Sequence, residues 1–239
     1  MINIKILIKS LILTPLMIFD YQSISAEQSS QTKIKLIQHQ NEEQKRQKFL
    51  DSLSIQYSLE GYAKLLYDPN NQKKTAFLRN LGVPEERIQE YNSSQGVFTP
   101  LSPANIGRHI KTPIFVDSTA FHFTKEELAC IIAGHEKYHA QDMFFGIPLE
   151  ADTLKYTQLS EALQQKKITL TTITDLVEYR AYQEEFLEIE KGKFNVNSDF
   201  RDKVRKRIEY LYFRLHERRK NASSCEQEFI TKMFEVYNH

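Results

Sequence analysis

The sequence predicts an α+β fold that is predominantly helical, with a small sheet. Three observations carry that expectation. The 239 residues include only 7 Gly and 7 Pro, so few positions interrupt a helix. From Phe49 onward, apolar residues recur at helical spacing, as in Phe49, Leu50, Leu53 and Tyr57. One brief run, Ile114-Phe115-Val116, has β character. No period of 20–50 residues repeats, which excludes a solenoid. Lys+Arg 32 against Asp+Glu 31 leaves a net charge of +1, so no global field draws the chain to nucleic acid or to an anionic membrane.

The elements follow in chain order. Residues 1–26 have the layout of a secretory signal peptide. Lys5 and Lys9 precede a short apolar stretch, Leu11 to Phe19, and Ser23-Ile24-Ser25-Ala26 offers small residues for cleavage. Pro15 and Asp20 interrupt the stretch, which falls short of the ~20 apolar residues of a membrane span. Export to a periplasmic or secreted location is therefore expected, with membrane contact only in transit. Residues 27–48 form a polar leader, mobile or loosely helical. Residues 49–113 form a helical N-terminal region and loop. A helix or two should end at Asp68-Pro69-Asn70-Asn71, a short helix spans Thr75 to Leu81 before Gly82, and a third starts at Pro84-Glu85-Glu86. Ser93 to Pro113 reads as loop.

Residues 114–239 begin with the β run. Thr124-Lys125-Glu126-Glu127 then forms a capping box that starts a helix reaching about Met143. A second helix begins near Thr172 or Thr174, with Asp175 in its first turn, and stops at Lys191-Gly192. A third runs from Ser198 or Asp199 to about Lys220, and its many basic residues read as a solvated face.

The first of these helices carries His135-Glu136-Lys137-Tyr138-His139. Two histidines at i and i+4 project from one face about a turn apart, where both imidazoles reach a single Zn²⁺. Glu136, beside that face, suits a general base that takes a proton from water and returns it to a leaving group. The preceding strand, Ile114 to Val116, is expected at a sheet edge, where it could hold an extended peptide. A catalytic zinc needs a third protein ligand, and no His follows at the spacing of the three-histidine pattern. Glu178, 39 residues after His139 and followed one turn on by the small Ala181, leads the acidic alternatives; Glu150 and Glu161 compete. Tyr182, Tyr210, Tyr212, His216 and Arg180 are all eligible to stabilise an oxyanion.

His135-Glu136-x-x-His139 followed by Glu178-x-x-Ala181 resembles the gluzincin class of zinc metallopeptidases. The resemblance covers roughly Ile114 to Glu190. It implies a zincin-like catalytic core with an active-site helix carrying HExxH, zinc held by His135, His139 and Glu178, Glu136 as catalytic base, and a peptide or protein as substrate. Glu178-Tyr179-x-Ala181 is similar to the second motif of gluzincins that process prenylated or membrane proteins. There an Asp follows the Ala, whereas here the position is Tyr182, which removes the carboxylate expected to support a ligand. The competing reading is a non-catalytic helical binding module with a structural or degenerate zinc site. Cys130 and Cys225, in an oxidising compartment, either pair or remain buried thiols.

Overall fold

The structure is a computed structural model that describes residues 14–93, 96–101, 106–149, 152–154 and 161–237, with side chains described from residue 31. The first half of the expected signal peptide and Glu150 lie outside the described residues. Among those described, no helix is long and apolar enough to cross a membrane.

The chain divides into two compact units, Met1–Lys48 and Phe49–His239. The first is occupied by most of α1 (Thr14–Gln56), whose side chains from residue 31 are largely exposed. Lys, Gln and Glu are strong helix formers, which accounts for continuous helix where a loose leader was expected. The last turns of α1, from Phe49, belong to the second unit and bury Leu50 and Leu53 in its core.

The second unit opens with a departure from expectation. Ala63–Tyr67 is a strand, β1, and not the end of a helix. Its side chains alternate between buried Ala63, Leu65 and Tyr67 and more accessible Lys64 and Leu66, the period of two that a half-buried strand requires. Helices α2 (Gln72–Asn80) and α3 (Glu85–Ser93) follow. Asp68 accepts from the Lys73 and Lys74 N–H groups at 3.1 and 2.8 Å and so satisfies the start of α2. Two strands complete the sheet: β2 (Val97–Phe98) and β3 (Thr112–Val116).

The sheet order is β1-β3-β2. β1 runs parallel to β3, with Leu65 opposite Ile114, and β2 runs antiparallel, with Val97 opposite Val116. The Ile114 to Val116 strand is therefore central and not an edge. The expectation failed because both neighbours were unread, β1 as helix and β2 as loop.

The capping box holds. The Thr124 hydroxyl accepts from Glu127 N–H at 3.2 Å and the Glu127 carboxylate accepts from Thr124 N–H at 2.9 Å. The helix it starts has three parts: α4 (Lys125–Cys130), a π-helical segment (Ile131–Glu136) and α5 (Lys137–Phe145). Gly146, at φ 96°, ends it. A hairpin of β4 (Ile147–Leu149) and β5 (Asp152–Leu154) follows. Helix α6 (Leu170–Glu190) is capped by Thr169, whose hydroxyl accepts from Thr172 N–H at 3.1 Å, so Asp175 lies beyond the first turn. Helix α7 (Ser198–Asn221) is capped by Asn197, and α8 (Ser224–Tyr237) follows as an unforeseen last helix.

Two apolar clusters form the core. One joins β1, β3, α4 and the π segment; the other joins α5, α6, α7 and α8. Cys130 belongs to the first and Cys225 packs against the second, and both thiols are free. The structure thus holds two separate thiols and not a disulfide.

Candidate metal centre

The π segment and α6 meet at Gly134. A Cβ there would lie 3.3 Å from the Phe194 ring, 3.4 Å from Cys130 Sγ and 3.5 Å from Glu185 Cγ. The missing side chain thus makes room chiefly for the Phe194 ring, while Glu185 of α6 would meet a Cβ at ordinary contact distance. A π turn, with Lys137 N–H reaching back to Ile132 O, re-aims side chains within an otherwise α-helical run and is frequent at functional sites.

The meeting of this helical run with α6 brings three donor groups together. His135 Nε2 and His139 Nε2 are 3.1 Å apart. Glu178 Oε2 lies 3.6 Å from the former and Glu178 Oε1 lies 3.5 Å from the latter. The histidines are only 6% and 2% exposed. His135, His139 and Glu178 form a group that could hold a metal ion. Of the competing carboxylates, Glu161 does not join it, being exposed and accepting a hydrogen bond from Gln165; Glu150 lies outside the described residues.

The charge states suit a donor set. Burial resists ionisation of Glu178, but the His139 and His135 rings facing it hold its carboxyl down to about 2. Burial brings His139 down to about 3, so its ring is neutral and its nitrogen lone pair available. Burial opposes protonation of His135 as well, yet Glu178 and Glu185 outweigh it and raise that ring well above the ordinary value. With His135 protonated and His139 neutral, the two facing nitrogens share that proton beside the Glu178 carboxylate, so a metal ion bound among them takes the proton's place.

Glu185 was not foreseen. It lies seven residues after Glu178, on the same face of α6, and its Oε2 is 3.2 Å from His135 Nδ1. It supplies the carboxylate that the Tyr182 substitution seemed to remove, since a carboxylate behind a ligating histidine fixes the ring and its tautomer. The i, i+7 repeat was the readable signal. Tyr182 instead lays its ring on His135, with centroids 4.1 Å apart. His135 Nδ1 and His139 Nδ1 are both buried without a partner in hydrogen-bond geometry among the described residues, so Glu185 stands beside His135 Nδ1 as a counter-charge.

Glu136, 7% exposed, does not point into the donor group but lines a cleft of about 600 Å³ beside it. Burial raises its carboxyl above the usual range. The cleft is walled by Val97 of β2, His135, Tyr182 and residues of α7. Of the five residues considered for the oxyanion, only Tyr182 lines it. Arg180 faces elsewhere, donating to Asp142, to Tyr138 O and to the Tyr237 hydroxyl. Tyr212 stacks on His216 and packs against Phe234 within the second cluster, and Tyr210 sits half exposed under Arg207 and Arg214. Lys203 and Arg207, read from sequence as part of a solvated face, also line the cleft.

No protein-family model, curated protein or solved structure matches the chain.

Proposed function

We propose that the chain is a zinc-dependent peptidase of gluzincin type, with His135, His139 and Glu178 as zinc ligands and Glu136 as catalytic base. The observation that carries the reading is the triangle of donor atoms, with edges of 3.1, 3.5 and 3.6 Å. Ligands about 2.0–2.1 Å from a tetrahedral zinc stand about 3.3–3.4 Å from one another. Two imidazoles and a carboxylate are also the donors that borderline-soft Zn²⁺ accepts, and three protein ligands leave a position open. The residues therefore fit the ion.

When bound, zinc supplies a Lewis acid that polarises a peptide carbonyl and acidifies water. The chain's own residues do the rest. Glu185 places a negative charge 3.2 Å from His135 Nδ1, and Tyr182 packs its ring against that imidazole. Glu136 receives the proton of the attacking water at its carboxylate and returns it to the departing amide nitrogen as the C–N bond breaks. Its raised affinity for a proton suits both halves of that task. The edge strand β2, with Val97 in the cleft wall, is the strand beside which an extended peptide could lie. The Tyr182 phenol is the donor available for the developing oxyanion.

Glu136→Gln is the test. The amide keeps the volume but cannot accept the proton, so peptide hydrolysis should fall by about 10²–10⁴-fold while zinc content stays that of the parent. A variant that cleaves as fast as the parent, or a zinc-loaded parent that cleaves nothing across a broad peptide library, transfers the site to the non-catalytic binding reading.

Export belongs to the same proposal, on the order of charged, apolar and small residues at the N-terminus. N-terminal sequencing of cell-envelope or secreted material should begin between Ser23 and Glu27. An intact Met1 on membrane-bound protein would refute it.

A further inference from the structure

The cleft beside Glu136 has one cationic wall. Lys203 and Arg207 both line it, and four residues apart on α7 they share a helix face with about 6 Å between their Cβ atoms. Other basic residues of this helix are already paired: Arg201 with Glu190, Arg205 with Asp202, Arg214 and Arg218 with Asp175, Lys220 with Glu217. Lys203 and Arg207 form no ion pair among the described residues. Arg207 is instead held by two rings, 5.3 Å from the Tyr210 centroid and 5.9 Å from that of Tyr182, which fixes its guanidinium while leaving its N–H groups to a ligand.

The position is close to the chemistry. The Tyr182 centroid is 4.1 Å from that of His135 and 5.9 Å from Arg207 Cζ, so the guanidinium carbon is no more than about 10 Å from the His135 ring. An extended chain spans about 3.3–3.6 Å per residue, which puts a carboxylate bound there within about three residues of a carbonyl at the metal. Val204 and Phe200, on the same helix, give the wall an apolar surface next to the two cations. Of the three carboxylates that share the cleft, Glu127 accepts from Thr124 N–H and Asn197, Glu185 stands against His135, and Glu136 is buried with its proton affinity raised, which leaves it a weak competitor for the two cations. Arg207 also helps hold down the carboxyl of Glu178.

We propose that Lys203 and Arg207 select peptides bearing a carboxylate within about three residues of the scissile bond, next to an apolar side chain. The carboxylate is either the peptide's own C-terminus or an Asp or Glu side chain. The inference rests on the reading of the cleft as the peptide site, and it is tested by binding as well as by hydrolysis.

The probes are labelled peptides with one apolar core in four forms: free acid or amide at the C-terminus, each with an internal Asp or Asn. Anisotropy titrations of full-length Glu136→Gln protein, metal-free and zinc-loaded, should give about tenfold tighter binding to carboxylate-bearing forms than to the doubly neutral form. The preference should shrink as salt is raised from about 50 to 500 mM. Preference for the free acid alone identifies the C-terminus as the ligand; preference for Asp alone identifies the side chain. Adding Lys203→Ala and Arg207→Ala together should make the charged and neutral forms bind alike, and Arg207→Glu should favour a peptide in which Lys replaces Asp. Equal binding of all four forms, binding of none, or a preference that survives the double variant overturns the proposal, the last because the carboxylate is then on the metal. Hydrolysis without charge preference in the parent defeats this inference and leaves the peptidase reading standing. Charge preference without hydrolysis does the reverse.

Discussion

Helix α6 carries two buried ionic clusters two residues apart, and they differ in a way that separates structure from function. Around Arg180 a cation meets an anion. Its guanidinium reaches Asp142, Tyr138 O and the Tyr237 hydroxyl, and so ties α6 to α5 and α8. Around Glu178 the partners are two imidazole nitrogens 3.1 Å from each other, whose one cation is the proton that Glu178 and Glu185 hold on His135. A buried ion pair is a lock. A convergent set of donors whose cation is an exchangeable proton is a site, and its neighbour on the helix provides the rigidity that keeps it convergent.

The sharpest way to break the comparison is at the lock. Burial pushes the Asp142 carboxyl up to about 7 even against the pull of Arg180, so Asp142 can protonate in Arg180→Leu; the loss, up to about 3–5 kcal/mol for a broken buried pair, should be largest above pH 7 and smaller below it. Thermal unfolding of the metal-free protein should show a large fall in Tm, with the zinc bound per folded molecule unchanged. An unaltered Tm would mean that the Arg180 cluster is no lock.

A smaller effect is expected behind the ligand. Glu185→Gln removes the carboxylate 3.2 Å from His135 Nδ1 and should weaken zinc binding about 10–100-fold, read by competition with a chelating dye. The same titration has a pH signature. Glu178 and Glu185 raise the His135 ring above its ordinary value despite burial, so metal must displace a proton from it. Affinity should climb about tenfold per pH unit as pH rises toward the pKa of that ring and level off above it. In Glu185→Gln the plateau should begin at lower pH, because the free ring is then less basic. A pH-independent affinity in the parent would contradict the charge states given for the site.

Much of this site was legible in the sequence because it depends on local geometry. His135 and His139 share a face by helical arithmetic, Thr124 and Glu127 announce the start of their helix, and Glu178 repeats the pattern on a second helix. Glu185 was equally local but was hidden by the expectation of a carboxylate at Tyr182. The rest depends on packing between elements. β1 passed for helix because Leu65, Leu66 and Tyr67 are adjacent apolar residues with no pattern long enough to declare a period, and only its pairing with β3 shows the alternation. The role of Lys203 and Arg207 appears once α7 lies along the cleft. The π turn leaves no sequence signal beyond Gly134, whose smallness makes room for the Phe194 ring.

The claim that His135, His139 and Glu178 form one metal site is tested most directly by zinc stoichiometry. Purified protein, stripped with chelator, reloaded and desalted, should hold one zinc per chain. His139→Ala and Glu178→Ala should each lose it while the metal-free variants unfold at or near the parent temperature, in contrast to Arg180→Leu. A parent that retains no zinc, or a Glu178→Ala protein that retains it in full, would contradict the account.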